Sequence, residues 1–415
     1  MTSAHSSRKT LRALHAETAF APGYAPRLDV ARTRGPWYLD KVSYLAASRL
    51  RICKMKLFSP LHIAGIKINN RLVRSATGEG AAELNTGRPT PAMADFYKRL
   101  AEGGVGLVIS GHVAVSPEGR CNQRMTACTG NDFIPAFRHM VDACHAGGAP
   151  IVCQLNHGGR QVNAAHRGIR PLCPSKADFP GAAFHPDVLE EADILRIIAD
   201  FADAARRVRQ AGFDGVQIHS AHGYLISQFN SPLTNRREDN WGGSPAERRR
   251  FLMETYAAVR NAVGKDYPVM VKQNVSEFHP GGMELEEATA ICAELDAAGI
   301  DAIELSGGIA ETIPIAFRAK ELKATREVVF FEEQCRRIRS RVACPLILTG
   351  GIRRRATAER LLAEGVCNTI GMCRPFIREP GLPNAWRKGT QTQAACISCG
   401  KCRQDPEHCN TCGLL

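Results

Sequence analysis

Two features that would place the protein in or across a membrane are absent from its sequence. The 415 residues contain no run of about 18 apolar residues, and no N-terminal segment has the apolar centre of a signal peptide. We therefore expect neither a membrane span nor secretion. Most of the sixteen cysteines are scattered singly, and those within apolar runs are typical of small buried side chains. A reducing cytoplasm is accordingly the expected location.

The net charge of +13 does not indicate a nucleic-acid partner, because much of it lies in one terminal segment. Residues 1–54 contain ten Lys or Arg but only three Asp or Glu, so this segment carries +7 and the rest of the chain +6. The segment also shows no sustained periodicity. We predict that 1–54 is a basic, disordered extension, with an upstream false start or an Arg-rich targeting peptide as alternatives.

From residue 55 onward, short apolar runs alternate with amphipathic stretches that end in glycine. The apolar runs predict eight strands, at 71–77, 106–115, 150–158, 215–223, 268–275, 302–308, 345–352 and 368–373. Apolar residues at i, i+3 and i+4 predict helices at 91–104, 133–148, 194–212, 247–264, 285–299 and 356–365. Eight apolar strands alternating with helices predict an α/β fold, a (β/α)8 TIM barrel. An open doubly wound sheet is the alternative, but no G-x-G-x-x-G turn follows the first strand.

Polar side chains follow several of these runs, where the catalytic groups of a TIM barrel lie. Lys272 stands in a strand that would not tolerate an unpaired charge, so it requires an anion or a polarised oxygen. The planar amide of Gln154 suits the edge of a flat heterocycle, and the alternative is that both groups are paired inside the barrel. After the last two strands, Gly350, Gly351 and Arg374 offer backbone N–H groups and a cation for phosphate. A phosphorylated planar ring such as FMN fits this arrangement.

Two histidines and a tyrosine close the fourth predicted strand. His219 and His222 are three residues apart, and Tyr224 follows them. Histidines buried in the core are one interpretation of the pair. A metal site is another, but no acid or cysteine at metal-ligand spacing follows nearby. The three residues by themselves leave these possibilities open.

Seven motifs in order carry a wider resemblance. They are LFSPLHIAGIKINNRLVRSATG, GLVISGHVAVSPEGR, CQLNHGGR, IHSAHGYLISQFNSPLTNRREDNWGGSPAERRRF, VMVKQN, LTGGI and IGMCRPFIREP. Through them the chain resembles the Old Yellow Enzyme family, the NADH:flavin oxidoreductases with a single flavin barrel, from Met55 to about Trp386. The resemblance implies an FMN-binding barrel over 55–390 that takes hydride from NAD(P)H and reduces the C=C bond of an α,β-unsaturated carbonyl compound. A small-molecule substrate is therefore expected, and such barrels often pair into homo-oligomers.

The resemblance also implies a role for each site residue. His219 and His222 would hold the carbonyl oxygen of the substrate, and Tyr224 would deliver a proton to its α-carbon. The implied FMN contacts are Ser75, Ala76, Thr77, Gly78, Ser110, Gly111 and His112 beside the ring, Gln154 and Lys272 at the pyrimidine side, and Gly350, Gly351, Cys373 and Arg374 at the phosphate.

Two positions depart from the family pattern. Gly78 lacks the Thr or Cys side chain that related enzymes often use to bond flavin O4, and His112 stands where relatives usually have a small residue. His112 would therefore either crowd the flavin ring or contact the substrate. The flavin potential, and with it the balance between alkene reduction and reaction with oxygen, is left open.

The tail at 391–415 is rich in cysteine. Cys396, Cys399, Cys402, Cys409 and Cys412 have the spacing C-x2-C-x2-C-x6-C-x2-C. Larger relatives of the dienoyl-CoA reductase and trimethylamine dehydrogenase type bind a [4Fe-4S] cluster just after the barrel, but with a longer gap. Iron–sulfur, zinc and a metal-free remnant are the alternatives. A cluster would favour an iron–sulfur flavin dehydrogenase or demethylase, or a dienoyl-CoA reductase-like enzyme, and a barrel without flavin would leave a metal-binding or interaction module.

Overall fold

The computed structural model describes residues 56–163, 169–176, 185–312 and 327–414. The predicted extension at 1–54 lies outside these residues. The strands of the described part are β1 Leu61–Ile63, β2 Ile66–Ile68, β3 Leu72–Arg74, β4 Leu107–Ala114, β5 Ile151–Asn156, β6 Leu172–Cys173, β7 Asp187–Val188, β8 Gly215–Ser220, β9 Val269–Asn274, β10 Ala302–Ser306, β11 Leu346–Thr349, β12 Thr369–Met372, β13 Cys402–Asp405 and β14 Cys409–Cys412.

Eight of these strands close into one barrel. Their order around it is β3, β4, β5, β8, β9, β10, β11 and β12, and β12 pairs with β3 to close the ring. Neighbouring barrel strands run parallel, and each strand lies within one of the eight predicted apolar runs. The prediction of a (β/α)8 TIM barrel is therefore confirmed.

Helices surround the barrel. They are α1 Pro91–Glu102, α2 Ile134–Ala146, α3 Glu191–Ala211, α4 Leu225–Asn230, α5 Pro245–Val263, α6 Leu285–Ala297, α7 Glu332–Arg339, α8 Arg355–Ala363, α9 Arg374–Arg378 and α10 Leu382–Lys388. The six predicted helices correspond to α1, α2, α3, α5, α6 and α8. Periodicity does not indicate α7, because only Cys335 and Ile338 of its eight residues are buried. None of the helices in the described ranges has the length and apolar character needed to cross a membrane.

Local signals explain where the longer helices begin and end. Ser244 and Glu247 form a reciprocal capping box at the start of α5, which satisfies two backbone N–H groups that the helix leaves unpaired. Gly212 ends α3 with a φ of 99°, a left-handed conformation that glycine adopts without steric cost. The fold thus obtains its boundaries from short-range chemistry that the sequence displays.

The interior of the barrel changes character along its strands. Side chains two residues apart face the same side of a strand, so alternate residues point inward. Near the amino ends of the strands, Val152 and Met270 belong to an apolar cluster that includes residues of the β1–β2 hairpin. Two residues further along the same strands come Gln154 and Lys272, which are buried and polar. The barrel is therefore closed by apolar packing at one end and lined by polar groups at the other.

Candidate active site

A chain of hydrogen bonds connects five buried polar side chains near the carboxyl ends of the barrel strands. We call Ser75, Gln154, Gln217, Lys272 and Glu304 the buried charged network; each is at most 3% exposed. Lys272 Nζ lies 3.0 Å from Glu304 Oε1 and donates to Ser75 Oγ at 2.9 Å. Gln217 Nε2 donates to Glu304 Oε2 at 2.9 Å, and Gln154 Nε2 donates to Gln217 Oε1 at 2.7 Å. The Ser75 hydroxyl also donates to Glu304, so the carboxylate is fully surrounded by donors.

Two members of this network, Gln154 and Lys272, were predicted from the sequence as contacts of the pyrimidine side. Their partners Gln217 and Glu304 were not predicted. Glu304 supplies the anion that Lys272 requires, and Gln217 pairs with Gln154. These contacts agree with the alternative that Lys272 and Gln154 are paired inside the barrel. Glu304 carries the same signal as Lys272, a charge within an apolar strand. Because β9 and β10 are neighbours and Lys272 pairs in register with Glu304, opposite charges could have been matched across them.

A pocket of about 160 Å³ opens beside the network. Seven residues predicted to contact FMN line it: Ser75, Ala76, Lys272, Gly350, Gly351, Cys373 and Arg374. Ser398 of the tail also lines it, which the sequence did not predict. The pocket joins the ends of β3 and β9 to the ends of β11 and β12.

The glycines of this pocket are required by its geometry. Gly350 and Gly351 have φ angles of 103° and 83°, and a Cβ on Gly351 would lie 1.7 Å from the carbonyl oxygen of Val328. Only glycine therefore fits, and its backbone can approach a ligand closely. Arg374 supplies a cation at this end, and Lys272 and Ser75 supply donors at the other. The described residues thus fit a planar ring with a phosphate, as FMN requires.

The end of β4 is fixed by hydrogen bonds within the protein. Its pairing with β5 shifts register between Ile109 and His112, a bulge of the kind that redirects side chains near active sites. Ser110 Oγ donates to the carbonyl of Gly111 at 2.9 Å, and the Gly111 N–H donates to Glu79 Oε1 at 2.8 Å. Neither Ser110 nor Gly111 lines the pocket, so their place beside FMN stays a prediction.

The loop after β3 shows how His112 relates to the missing side chain at Gly78. A Cβ on Gly78 would lie 3.2 Å from His112 Nε2, so the imidazole stands next to the space that a longer side chain would enter. His112 Nδ1 is 3.0 Å from Asn156 Nδ2, which fixes the ring from its other side. Thr77 Oγ1 contacts Cys373 Sγ across the barrel closure. The contacts of Thr77, Gly78 and His112 with FMN stay predictions.

Four rings gather at the barrel mouth, and we call His112, His219, His222 and Tyr224 the ring cluster. The His219 ring centroid lies 5.2 Å from that of His222, 4.9 Å from that of Tyr224 and 6.2 Å from that of His112. The centroids of His112 and Tyr224 are 5.1 Å apart. The structure therefore brings together the three residues predicted for substrate binding and catalysis, and adds His112 to them.

Hydrogen bonds define the roles of the ring nitrogens. His219 Nδ1 accepts from the Ala221 backbone N–H at 3.2 Å, so its proton is on Nε2. His222 Nε2 lies 2.7 Å from Ser306 Oγ, which leaves Nδ1 as its second hydrogen-bonding atom. The backbone of His222 has a φ of 64°, in the left-handed region that few non-glycine residues adopt and that histidine adopts more readily than most. This turn places the His222 ring against Ser306 of β10.

Burial sets the protonation states of the ring cluster. Burial, with a smaller effect of the Lys272 charge, lowers the pKa of His112 to about 4 and that of His222 to about 3. Burial and the neighbouring His222 also hold the pKa of His219 well below its usual value. Burial raises the pKa of Tyr224. At neutral pH the three imidazoles are therefore uncharged and the phenol keeps its proton.

The cysteine tail forms a hairpin, β13–β14, that packs on the barrel. Gln404 Nε2 and Asn410 Nδ2 both donate to the carbonyl of Gly78, at 2.9 and 3.0 Å. Cys402 lies directly opposite Cys412 in the hairpin register, whereas the buried Cys409 directs its sulfur to the carbonyl of Ala92 in α1 at 3.6 Å.

This arrangement does not assemble the five-cysteine metal site considered for Cys396, Cys399, Cys402, Cys409 and Cys412. Throughout the described ranges, no group of three or more His, Cys, Asp or Glu side chains is placed to hold a metal ion. Cys409 is separated from the others because it serves as a buried contact with α1, and burial raises its pKa to about 12.

Comparison with known proteins places the chain among flavin enzymes. The sequence profile of the NADH:flavin oxidoreductase / NADH oxidase family matches residues 56–393. A metal reductase of Desulforamulus reducens is 36% identical over 346 residues, which cover 83% of this chain and 51% of that protein. An NADPH dehydrogenase of Geobacillus sp. (strain WCH70) is 33% identical over 341 residues, which cover 82% of this chain and 96% of that protein.

A solved structure agrees with these sequence matches. An old yellow enzyme homologue from Zymomonas mobilis has a TM-score of 0.74 at 27% identity, with 87% of this chain and 100% of that one covered. The chain spans about half the length of the metal reductase but nearly the whole of the NADPH dehydrogenase. The expected cofactors, FMN and NAD(P)H, are those of the matched family. The chain therefore belongs to the NADH:flavin oxidoreductase / NADH oxidase family and carries the barrel of the Old Yellow Enzymes.

Proposed function

We propose that the chain uses NAD(P)H to reduce the C=C bond of α,β-unsaturated carbonyl compounds. The ring cluster is the observation that carries this proposal. Two uncharged imidazoles, His219 and His222, stand side by side at the end of β8 with centroids 5.2 Å apart, and Tyr224 lies against His219. Two neutral donors and a protonated phenol at one mouth suit a carbonyl substrate that must receive both a hydride and a proton.

The chemistry follows from where charge develops. Bound FMN would supply the hydride that reaches the β-carbon of the alkene. Negative charge then grows on the carbonyl oxygen, where N–H donors from His219 and His222 stabilise it, by on the order of 3 to 4 kcal/mol per donor. The burial that raises the pKa of Tyr224 keeps its proton in place until the substrate α-carbon takes it.

Residues of the network and the pocket would hold the cofactor. Gly350, Gly351 and Arg374 would bind its phosphate, and Lys272 and Gln154 would face its pyrimidine side.

The test is a two-step reaction under anaerobic conditions. The purified protein, which we expect to carry a flavin spectrum, is bleached with NADH or NADPH and then mixed with 2-cyclohexenone. We expect the flavin absorbance to return with the enone but not with cyclohexanone, the saturated control. Reoxidation at the same slow rate with both compounds would reject an ene-reductase.

A second candidate rests on how close the tail comes to the pocket. Ser398 lines the pocket, and Arg374 Nη1 donates to its carbonyl at 3.4 Å. If the tail cysteines hold an iron–sulfur cluster, electrons could enter there, as expected for a dehydrogenase, a demethylase or a dienoyl-CoA reductase-like enzyme. An iron assay on the same sample tests this candidate, since about four irons per chain would favour it. The alternative of a barrel without flavin is not retained, because the matched family binds FMN.

A further inference from the structure

Glu304 is the least exposed charged group of the site, and the proposed reaction gives it no role. It lies on β10, is 0% exposed, and uses both carboxylate oxygens. Oε1 faces Lys272 and Ser75, and Oε2 accepts from Gln217. A buried carboxylate is costly unless it is paired and hydrogen-bonded, so each of these donors is needed to keep it there.

The carboxylate also determines which way the neighbouring amides point. An ionised carboxylate only accepts, so Gln217 must turn its NH2 group toward Glu304. The carbonyl oxygen of Gln217 then accepts from the NH2 group of Gln154. This leaves the carbonyl oxygen of Gln154, an acceptor, for a partner beyond the network. A ring N–H, such as the one on the pyrimidine ring of FMN, is the complementary donor.

Glu304 further cancels the charge that Lys272 presents to the pocket. Lys272 and Ser75 line the pocket, whereas Glu304 lies behind them and does not. The ammonium and the carboxylate are 3.0 Å apart, so the pair carries no net charge toward a ligand. A bare ammonium would bind the reduced, more negative form of a redox ligand more tightly than the oxidised form. The neutral pair gives a much smaller difference in affinity between the two forms.

We propose that Glu304 is a positioning residue of the flavin site, which orients Gln154 through Gln217 and neutralises Lys272 beneath the cofactor. By orienting Gln154, it presents a hydrogen-bond acceptor to the pyrimidine edge of FMN. By neutralising Lys272, it lowers the preference of the pocket for reduced over oxidised FMN. The inference rests on FMN binding and does not depend on the enone substrate, so it stands or falls separately from the ene-reductase proposal.

The test compares three variants, Glu304→Gln, Lys272→Met and the double variant. For each we would measure the midpoint potential of bound flavin and the dissociation constants of oxidised and reduced FMN. Glu304→Gln leaves an unpaired ammonium and should raise the preference for reduced FMN by about tenfold or more, the size expected for one uncompensated charge a few ångströms away. Lys272→Met leaves an unpaired carboxylate and should shift the preference in the opposite direction. The double variant should return close to the wild type.

A matched control separates this role from general damage to the barrel. Glu277 is also buried, accepts from Ser231 Oγ at 2.6 Å and from the Met283 N–H at 2.9 Å, and lies outside the network. Glu277→Gln should leave the ratio of the two FMN dissociation constants unchanged. Equal shifts in Glu304→Gln and Glu277→Gln, or shifts of one sign in Glu304→Gln and Lys272→Met, would overturn the proposal.

Unfolding of the protein without FMN gives an independent readout. The double variant should be more stable than Glu304→Gln alone, because it removes the stranded charge. If Glu304→Gln does not fold, the comparison of Lys272→Met with the double variant carries the test. A double variant whose FMN preference stays as far from wild type as that of Lys272→Met overturns the role of Glu304.

Discussion

The buried charged network and the ring cluster both place polar side chains inside the barrel mouth, but the hydrogen-bond partners of these side chains differ. In the network, Lys272 and Glu304 are paired at 3.0 Å, and Gln217 donates to the same carboxylate. In the ring cluster, His219 Nδ1 accepts from the Ala221 backbone N–H, and the proton on Nε2 remains for a partner. The two charges of the network are paired before a ligand arrives, whereas the ring cluster keeps hydrogen-bond donors without a partner in the described part of the chain.

Under the proposed function, this difference predicts separate effects of mutations in the network and in the ring cluster. Removing one partner of a buried charged pair leaves the other charge unpaired, which destabilises the fold. Neutral rings with spare donors cost less to bury and can give their hydrogen bonds to a transition state. We therefore expect mutations in the network to act on folding and on FMN binding, and mutations in the ring cluster to act mainly on rate.

The largest effect is expected for Glu304→Ala. It removes the partner of a buried ammonium, so the free energy of unfolding of the protein without FMN should fall by about 3 to 5 kcal/mol. Urea unfolding measures it. The combined variant Lys272→Met/Glu304→Gln should recover much of the loss. A loss below about 1 kcal/mol for Glu304→Ala would mean that the pair contributes no more than a surface ion pair.

Next in size is the effect of His219→Ala on the rate. Loss of one donor to the carbonyl oxygen should lower kcat for 2-cyclohexenone about 100- to 1,000-fold, with FMN content and unfolding nearly unchanged. His157→Ala is the matched control, because His157 is also buried and uncharged at neutral pH but belongs to neither group. A loss of FMN parallel to the loss of rate would contradict the contrast between network and ring cluster.

Tyr224→Phe should lower the rate of one half-reaction, the oxidation of the flavin, and leave the rate of the other unchanged. It keeps the ring but removes the proton, so reoxidation of the flavin by the enone should slow about 100-fold while reduction by NAD(P)H continues. Stopped-flow absorbance resolves the two halves. Tyr256→Phe is the control, since the hydroxyl of Tyr256 donates to the carbonyl of Ala298 at 3.1 Å and has no part in the ring cluster or the pocket. Equal slowing of both half-reactions would place Tyr224 in cofactor binding instead.

The smallest effect is a pH dependence of stability that comes from the ring cluster. The pKa of His112 is lowered to about 4 in the folded protein, below its usual value of 6.5, so the unfolded chain binds more protons between these values. Stability present above about pH 6.5 should therefore be lost as the pH falls toward about 4. Urea midpoints from pH 8 to pH 4 should fall less steeply for His112→Asn than for the wild type.

His145 provides a control of opposite sign for this last measurement. A hydrogen bond to Asp214 raises the pKa of His145, so its contribution to stability is present at low pH and is lost as the pH rises through that value. His145→Gln should therefore make the fall in stability on acidification steeper. The same slope in His112→Asn and the wild type would show that burial does not depress the pKa of His112.

Several features of the fold and the site can be predicted from the order of residues in the chain. Eight apolar runs with intervening periodic stretches predict the barrel, because strand and helix periods are local properties of the chain. Lys272 is recognisable as a charge that needs a partner. Helix α7 is not predicted, since its eight residues show almost no apolar face. The pairing of Gln154 with Gln217 is not predicted either, because an amide in a strand gives no sign of which neighbour it will meet.

The set of elements, their order and the polar residues at the strand ends can be read from the order of residues, since each depends on neighbours a few positions away. Three contacts depend on the folded barrel instead: Glu304 neutralises Lys272, His112 joins the ring cluster beside Gly78, and Cys409 directs its sulfur to α1. These contacts join residues that are far apart in the chain. Their distances follow from the closure and register of the barrel and from the packing of the tail on it, which no local pattern encodes.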